Sequence, residues 1–575
     1  MAWGARSNLG IDDLVARVAS DESNLTALAL LPSRRFGAAE AAALAGALRA
    51  NTRIAELHLG GRAMSAESAS LLAEALIERS SREVAPTATT GASSSSAASL
   101  RALSVGDASF GCAGAAALAP LLSHAGALCG ELDLEFRGIG LEGARALSEA
   151  VVEARKRSSK AGGGGTAPLF LQSLNLARNP SLGGGDGAAC EALSAALFDG
   201  VEAEREGGGG AGGTGAVLTS LDLSGCALSS AGVAALVRDD AASRASPPPS
   251  RSPSPSPLLS LRLERNEALD DLAAAALARA LAPPGRGGGG GLANLRHLSL
   301  SGCPLVGDAA AGALSAALSA AAAAAAAPAP CPLRSLDLSG CGVGPIGAEH
   351  LAAALRSAGC RLQKLRVSGG GGGGGGGGEG APAAALAAAP APARTIGDEG
   401  ALSLARALAE VSPSSSFPLA DLDLSSCGLS RGEAAAALLS PSVEEGLEAL
   451  TLAGNPLCDA GAVAVAAALL LRRKSKDRLQ HLDLAACGIG LEGAAALAEA
   501  LLTTTAETEG GDGKQEEGKS EFAAPSLRTL VLGGNPATED DAFAERVVAR
   551  LREARPELDV AWRSGDQHAA AAEKK

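Results

Sequence analysis

One stretch constrains this chain more than any other: Leu479 to Leu502, LQHLDLAACGIGLEGAAALAEALL. It opens on an L-x-x-L-x-L frame at Leu479, Leu482 and Leu484, reaches Cys487 three residues later, bends at a glycine-rich turn and continues as an Ala/Leu run with helical spacing. The reading is one strand, one tight turn and one helix. Neither half can bury its apolar face alone, so the unit is stable only when stacked against copies of itself.

The copies are present. Windows of the same frame centre on Leu28, Leu57, Leu103, Leu132, Leu174, Leu221, Leu261, Leu298, Leu336, Leu365, Leu422, Leu450, Leu482 and Leu530, fourteen in all. Where nothing intervenes the period is short: 29 residues from Leu28 to Leu57, from Leu103 to Leu132 and from Leu336 to Leu365, and 28 from Leu422 to Leu450. Five residues beyond the central leucine a second site holds Asn179, Cys226, Asn266, Cys303, Cys341, Cys427, Asn455, Cys487 and Asn535.

Period, frame and this Asn/Cys site together resemble the leucine-rich repeat of the ribonuclease-inhibitor type, over roughly residues 25 to 562. The early windows depart from it, with Arg62, Ala108 and Arg137 at the Asn/Cys site, and the tenth places Gly370 there, so looser first turns are expected. The resemblance implies an α/β leucine-rich repeat solenoid of about fourteen repeats, a horseshoe with a parallel β-sheet on its concave face and α-helices on its convex face. It also implies a binding surface, as in the repeat arrays of NOD-like receptors.

The spacing has a physical reason. Side chains alternate along a strand, so the two leucines of L-x-L point inward and the residue between them faces solvent. The Asn or Cys turns inward, where it donates to carbonyls that the turning chain leaves unpaired. Strands pack about 4.8 Å apart and helices about 8–10 Å apart, so the stack must curve. Residues 1–24, with the amphipathic stretch Ile11 to Ala19, read as an N-terminal cap helix. Asp540 to Ala554 reads as a C-terminal helix leading to a last strand around Asp559, with Trp562 closing the core and a disordered tail at 563–575. Surplus length falls in low-complexity insertions at 80–99, 155–168, 202–215, 238–257, 283–291, 320–332 and 503–525, all between a helix and the next strand. One more, 369–394, follows a strand instead. Gly/Ser/Pro-rich sequence of this kind buries too little to fold and reads as flexible loop.

Composition bounds the function. A formal charge of −14 favours basic partners and argues against nucleic-acid binding, which needs a basic footprint. With 8 Phe, 2 Trp and no Tyr, recognition by aromatic stacking has little to use. Eleven cysteines, five of them at one repeat position, read as reduced thiols of a cytoplasmic or nuclear protein. The N-terminus lacks a signal-peptide pattern, and no apolar run is long enough for a membrane span.

No phosphate loop, H-E-x-x-H, C-x-x-C or G-x-S-x-G is present. The repeated cysteines lie along the solenoid axis, whereas zinc needs several thiolates converging on one point. His58, His297 and His481 are separated by several repeats, and no nucleophile–base pair assembles around them. The expectation is a monomeric, non-enzymatic protein without cofactor or metal. The informative set is the concave-face site: Glu131, Asp133, Glu135, Asp222, Arg262, Glu264, Asp337, Arg366, Asp421, Asp423 and Asp483. Two readings of it stay open: an electrostatic docking surface for a protein with basic patches, or a repeat consensus in which Asp serves solubility. A further segment, residues 244–257, places Ser246, Ser252, Ser254 and Ser256 before prolines as candidate phosphosites, or forms a stiff polyproline linker.

The function expected is a protein–protein interaction scaffold binding a partner through the concave face or rim. An alternative from another class is a GTPase-activating protein for a Ran-like small GTPase, a family similar in its solenoid but ending in an acidic tail. Here the acidic run, Glu507 to Glu521, precedes the last repeat.

Overall fold

The computed structural model describes residues 11–30, 36–82, 99–160, 171–184, 187–199, 218–239, 256–282, 291–319, 331–357, 359–369, 395–410, 419–440, 446–472, 477–505 and 521–563. Gly370, the cores of the insertions and the tail from 564 onward lie outside them. The chain divides into two compact units, Met1–Ala268 with Arg279–Leu298, and Leu269–Ala278 with Ser299–Lys575.

The first unit is a strand–turn–helix repeat. Its strands are β1 (Ala27–Ala29), β2 (Glu56–Gly60), β3 (Leu100–Gly106), β4 (Leu128–Asp133), β5 (Ser173–Asn175), β6 (Ser220–Asp222) and β7 (Ser260–Arg262); β8 (His297–Ser299) ends on the first residue of the second unit's longer segment. From β1 to β7 each pairs in parallel with the next, and the central leucines stand in one row: Leu28, Leu57, Leu103, Leu132, Leu174, Leu221 and Leu261. The second unit repeats the arrangement with β9 (Ser335–Asp337), β10 (Lys364–Arg366), β11 (Asp421–Asp423), β12 (Ala449–Thr451) and β13 (His481–Asp483). After a short antiparallel ribbon, β14 (Thr504–Thr505) with β15 (Glu521–Phe522), come β16 (Thr529–Val531) and β17 (Asp559–Ala561). Its row runs Leu336, Leu365, Leu422, Leu450, Leu482, Leu530 and Val560. Among the described residues fifteen strands run parallel, since the chain returns from one to the next through a helix rather than a tight hairpin.

Leucine along the row, with Val560 at its end, follows from burial. Leu57, Leu132, Leu261, Leu365, Leu422, Leu450, Leu482 and Leu530 are all fully enclosed, each stabilising the fold by about 1.5–3 kcal/mol relative to exposure. Helices pack on their sequence neighbours, and small residues face the contact: a Cβ on Gly493 would fall 2.9 Å from that of Ala462.

The inward site is a hydrogen-bond ladder. Asn179 is fully buried; its Nδ2 donates to Leu134 O (2.9 Å) and Leu176 O (2.8 Å), and its Oδ1 accepts from the amides of Arg137 and Ile139. Asn266, Asn455 and Asn535 repeat the pattern. Where cysteine stands, the thiol is the donor: Cys226 to Leu176 O, Cys341 to Leu300 O, Cys427 to Val367 O and Cys487 to Leu452 O, at 2.9–3.2 Å. Cys303 is equally buried. Burial pushes the thiols of Cys226, Cys341, Cys427 and Cys487 up to about 12, which keeps them protonated and able to donate.

Several expectations need correction. Arg137 does not loosen its turn: its guanidinium is buried, and Nε donates to Val105 O at 2.6 Å, the carbonyl the ladder residue of that repeat would serve. Two supposed insertions begin as helix, since Ala66–Arg82 and Leu141–Lys160 run on into them. Arg155, placed in one of these, is buried and donates to Asp199 O. The ends of the 503–525 insertion pair as β14 and β15, with Phe522 under the Arg555 guanidinium at 5.6 Å. The last helix is not uniform: Ala544–Ala549 is π-helical between the α-helical segments Asp541–Phe543 and Arg550–Ala554. It still meets Trp562, whose ring lies 5.3 Å from that of the fully buried Phe543.

A second network went unread in the sequence. An aspartate in the first turn of one helix caps the helix of the next repeat. Asp308 Oδ1 accepts from Gly344 N (2.7 Å) and Gly347 N (2.8 Å), and Asp459 Oδ1 from Gly490 N and Gly493 N. Asp271 Oδ1 does the same for Gly307 N and Ala310 N. These amides are the orphan donors of a helix start, and a carboxylate there also suits the helix dipole.

Candidate functional site: the polar face of the sheet

Because the central leucine of each strand points inward, the residues on either side of it face out together, and the parallel register sets them in rows. In the first unit one row reads Ala29, His58, Ser104, Asp133, Asn175, Asp222 and Arg262. In the second the two rows are Ser335, Lys364, Asp421, Ala449, His481, Thr529 and Asp337, Arg366, Asp423, Thr451, Asp483, Val531. Of the candidate residues, Glu131, Asp133, Asp222 and Arg262 of the first unit and Asp337, Arg366, Asp421, Asp423 and Asp483 of the second stand in such rows, while Glu135 and Glu264 lie two residues beyond their strands.

Their chemistry is more structured than an open acidic surface. The aspartates after the central leucine accept the backbone amide two residues on: Asp222 from Ser224 (2.9 Å), Asp337 from Ser339 (2.9 Å), Asp423 from Ser425 (3.0 Å) and Asp483 from Ala485 (2.9 Å). Asp133 takes the amide of Glu135, the Ser104 hydroxyl and the Asn175 amide, while Asn175 Oδ1 accepts from Ala177. The chain leaves the strand here for a left-handed residue, Gly225, Gly340, Ser426 or Ala486 among others, and the side-chain oxygen holds that turn. Asp in L-D-L-S therefore has a structural task beyond solubility.

Neighbouring strands also pair their charges. Glu135 meets Arg178 at 3.2 Å, Asp222 meets Arg262 at 3.7 Å, Asp337 meets Arg366 at 3.8 Å, and Lys364 meets Asp421 in a short contact. Exposed pairs such as these are worth about 0–1 kcal/mol each, so they shape the surface potential more than they stabilise it. Glu131 is exposed and Glu264 half-buried. Toward β11 and β13 the acids dominate. Burial raises the Asp483 carboxyl above its ordinary value, against the Ala485 amide and His481, which lower it; Asp423 adds to the rise. Phe136, left-handed at φ 56° and 59% exposed, lies beside Glu135.

Ser256 lies apart from this face and is fully buried, its Oγ accepting from Leu258 N and its carbonyl from Asn294. As folded it is closed to a kinase; Ser246, Ser252 and Ser254 lie outside the described residues. Among the described residues no group of three or more His, Cys, Asp or Glu is placed to hold a metal. No helix of the described residues is long and apolar enough to cross a membrane.

The model of the family described as Leucine Rich repeat matches residues 216–237, 291–315, 329–352 and 479–498. No curated protein matches the chain. Among solved structures it is similar to the yeast Rad7 and Elc1 complex, at 16% identity and TM-score 0.34 over 81% of this chain and 82% of that one. It is also similar to an internalin (inlF) of Listeria monocytogenes, at 13% identity and TM-score 0.37 over 85% and 92%. A TLR13–ssRNA13 complex matches at 12% identity and TM-score 0.32, over 94% of this chain and 62% of that one. The matched segments are similar to leucine-rich repeats, and the strand, ladder and helix unit that recurs through both units among the described residues is an α/β leucine-rich repeat fold of about fourteen to fifteen repeats.

Proposed function

We propose that the chain is a non-enzymatic protein-interaction scaffold that binds a partner protein through the polar face of its sheet, the partner presenting a basic patch. The observation that carries this is the paired rows of the second unit. They set Asp421, Asp423 and Asp483 on one face within three strands, each half-buried and held by neighbours. Carboxylates fixed in this way lose little side-chain entropy on binding, and a concentrated field of one sign steers a partner of the other. The 28–29-residue period and the helices that follow the strands among the described residues support a ribonuclease-inhibitor-type repeat on this reading.

The test is affinity capture with the full chain at about 50 and about 500 mM salt, alongside the triple variant Asp421→Asn/Asp423→Asn/Asp483→Asn. Asparagine keeps the amide-accepting oxygen, as Asn175 shows, so the strand ends stay capped while three charges are removed. Partners held by the native chain at low salt are expected to be lost at high salt and by the variant. Capture that survives both would refute the reading.

A further inference from the structure

A second surface, independent of the sheet face, lies on the rim where strands give way to helices in the second unit. Leu272 is 70% exposed, Leu305 58% and Ile346 60%. Three consecutive repeats carry them, and the backbone laces those repeats together at this rim. Asp270 bridges Leu305, Gly307 bridges Gly342, Gly307 N reaches Asp271 at 2.7 Å, and Gly347 N reaches Asp308 at 2.8 Å.

Folding does not explain these side chains. Leu272 and Ile346 are the second residues of helices Asp271–Leu281 and Pro345–Arg356. In the later helices of the unit the second residue is Asp398, Glu433, Asp459 or Glu492, the acidic choice that a helix N-terminus favours. Leu305 has a different origin. Seven residues past the central leucine the other turns place Leu429, Leu457 and Ile489, all buried; here the turn is one residue longer, Val306 takes the inward place, and Leu305 is pushed out.

The charge around them is one-sided. Asp270, Asp271, Asp308 and Glu349 border the three aliphatics. Among the described residues 269–278 and 299–357, lysine and arginine occur only as Arg334, just before β9, and Arg356, at a helix end, both at the opposite end of the repeat.

We propose that this rim docks an amphipathic helix of a partner protein, aliphatic on one side and bordered by lysine and arginine. Repeat spacing grows from about 4.8 Å at the strands toward about 8–10 Å at the helices. A docked helix rises about 5.4 Å per turn and presents anchors at i, i+3 or i+4, and i+7. Such a helix, laid across the repeats, brings one apolar side chain to each of the three positions, with its basic flanks against the carboxylates.

The probe is a labelled synthetic helical peptide with leucines on one face and lysines flanking them, compared with its glutamate counterpart and a scrambled lysine–leucine peptide by fluorescence anisotropy on the full chain. The lysine peptide is expected to bind at least about tenfold tighter than either control. Leu272→Ser/Leu305→Ser/Ile346→Ser, at exposed positions, is expected to weaken it about tenfold, and the milder Ile346→Ser severalfold, with unchanged circular dichroism. The Asp421→Asn/Asp423→Asn/Asp483→Asn variant should bind the peptide as the native chain does, which separates this rim from the sheet face. Equal binding of the glutamate peptide, no binding of any peptide, or serine variants that bind normally would overturn the proposal. So would self-association of the native chain in sedimentation that the triple serine variant abolishes, since a second copy would then be the occupant.

Discussion

At Asn455 one side chain answers three buried backbone groups: the carbonyls of Leu424 and Leu452 and the amide of Leu429. Asn455→Ala leaves all three without their partner in a site closed to water. A buried group so orphaned costs about 1–3 kcal/mol, and partial relaxation sets the expected loss at about 2–4 kcal/mol, read as a shift of the urea midpoint. A shift below about 0.5 kcal/mol would mean the ladder is not structural. Asp483 gives a pH-dependent counterpart. Its carboxyl is raised by burial, so the folded chain holds that proton more tightly than the unfolded chain does, and ionisation costs stability. The favourable contribution is complete below the unfolded value, about 3.9, and is lost as pH rises through the higher folded one. Asp483→Asn, which keeps the Ala485 bond, should therefore raise the thermal midpoint at pH 7 and lose that advantage as pH falls toward 4. A variant less stable than the native chain at pH 7 would contradict this. The ladder site was legible because two residue types, Asn and Cys, recurred at one spacing. The strand-end role of aspartate was not, because a solubilising Asp and a turn-holding Asp are written identically in L-D-L-S.

Among the elements, strands were legible from their leucine frame and helices from their Ala/Leu period; the links between successive helices were not. Asp308 lies 36 residues from Gly344 and 39 from Gly347, so no local helix-start signal points to it, and only stacking brings the carboxylate over the next helix. Asp308→Ala removes that cap and should cost about 0.5–2 kcal/mol, with Asp308→Asn closer to native because an amide oxygen still accepts. Differential scanning calorimetry reads the order native, Asn, Ala; an alanine variant as stable as native would remove the cap from the account. Arg137 and the helix extensions to Arg82 and Lys160 escaped prediction for a related reason: tertiary context overrode composition. A basic side chain at the ladder site departs from the repeat pattern, yet the Arg137 guanidinium donates where asparagine would. The exposure of Leu305 depends on a single extra residue in a turn, which aligning the windows by their leucines does not reveal.

On the scale of the whole molecule, stability in each unit is a sum over neighbours, since strands pair and helices pack with the elements next in sequence. Period and row residue settled that architecture; the polar face of the sheet followed from it, but its pairing of charges depended on which strands became neighbours across the insertions. In both units the Asn and Cys side chains of the ladder turn into a closed interior, and the fold depends on that arrangement. Timed thiol labelling of the native chain, read residue by residue by mass spectrometry, tests it directly. Cys458 is exposed and should label within the mixing time, whereas Cys226, Cys341, Cys427 and Cys487, buried and pushed up to about 12, should label only at the rate of unfolding. Ladder thiols that label as fast as Cys458 without denaturant would show that the side chains face water and that the repeats do not stack as described.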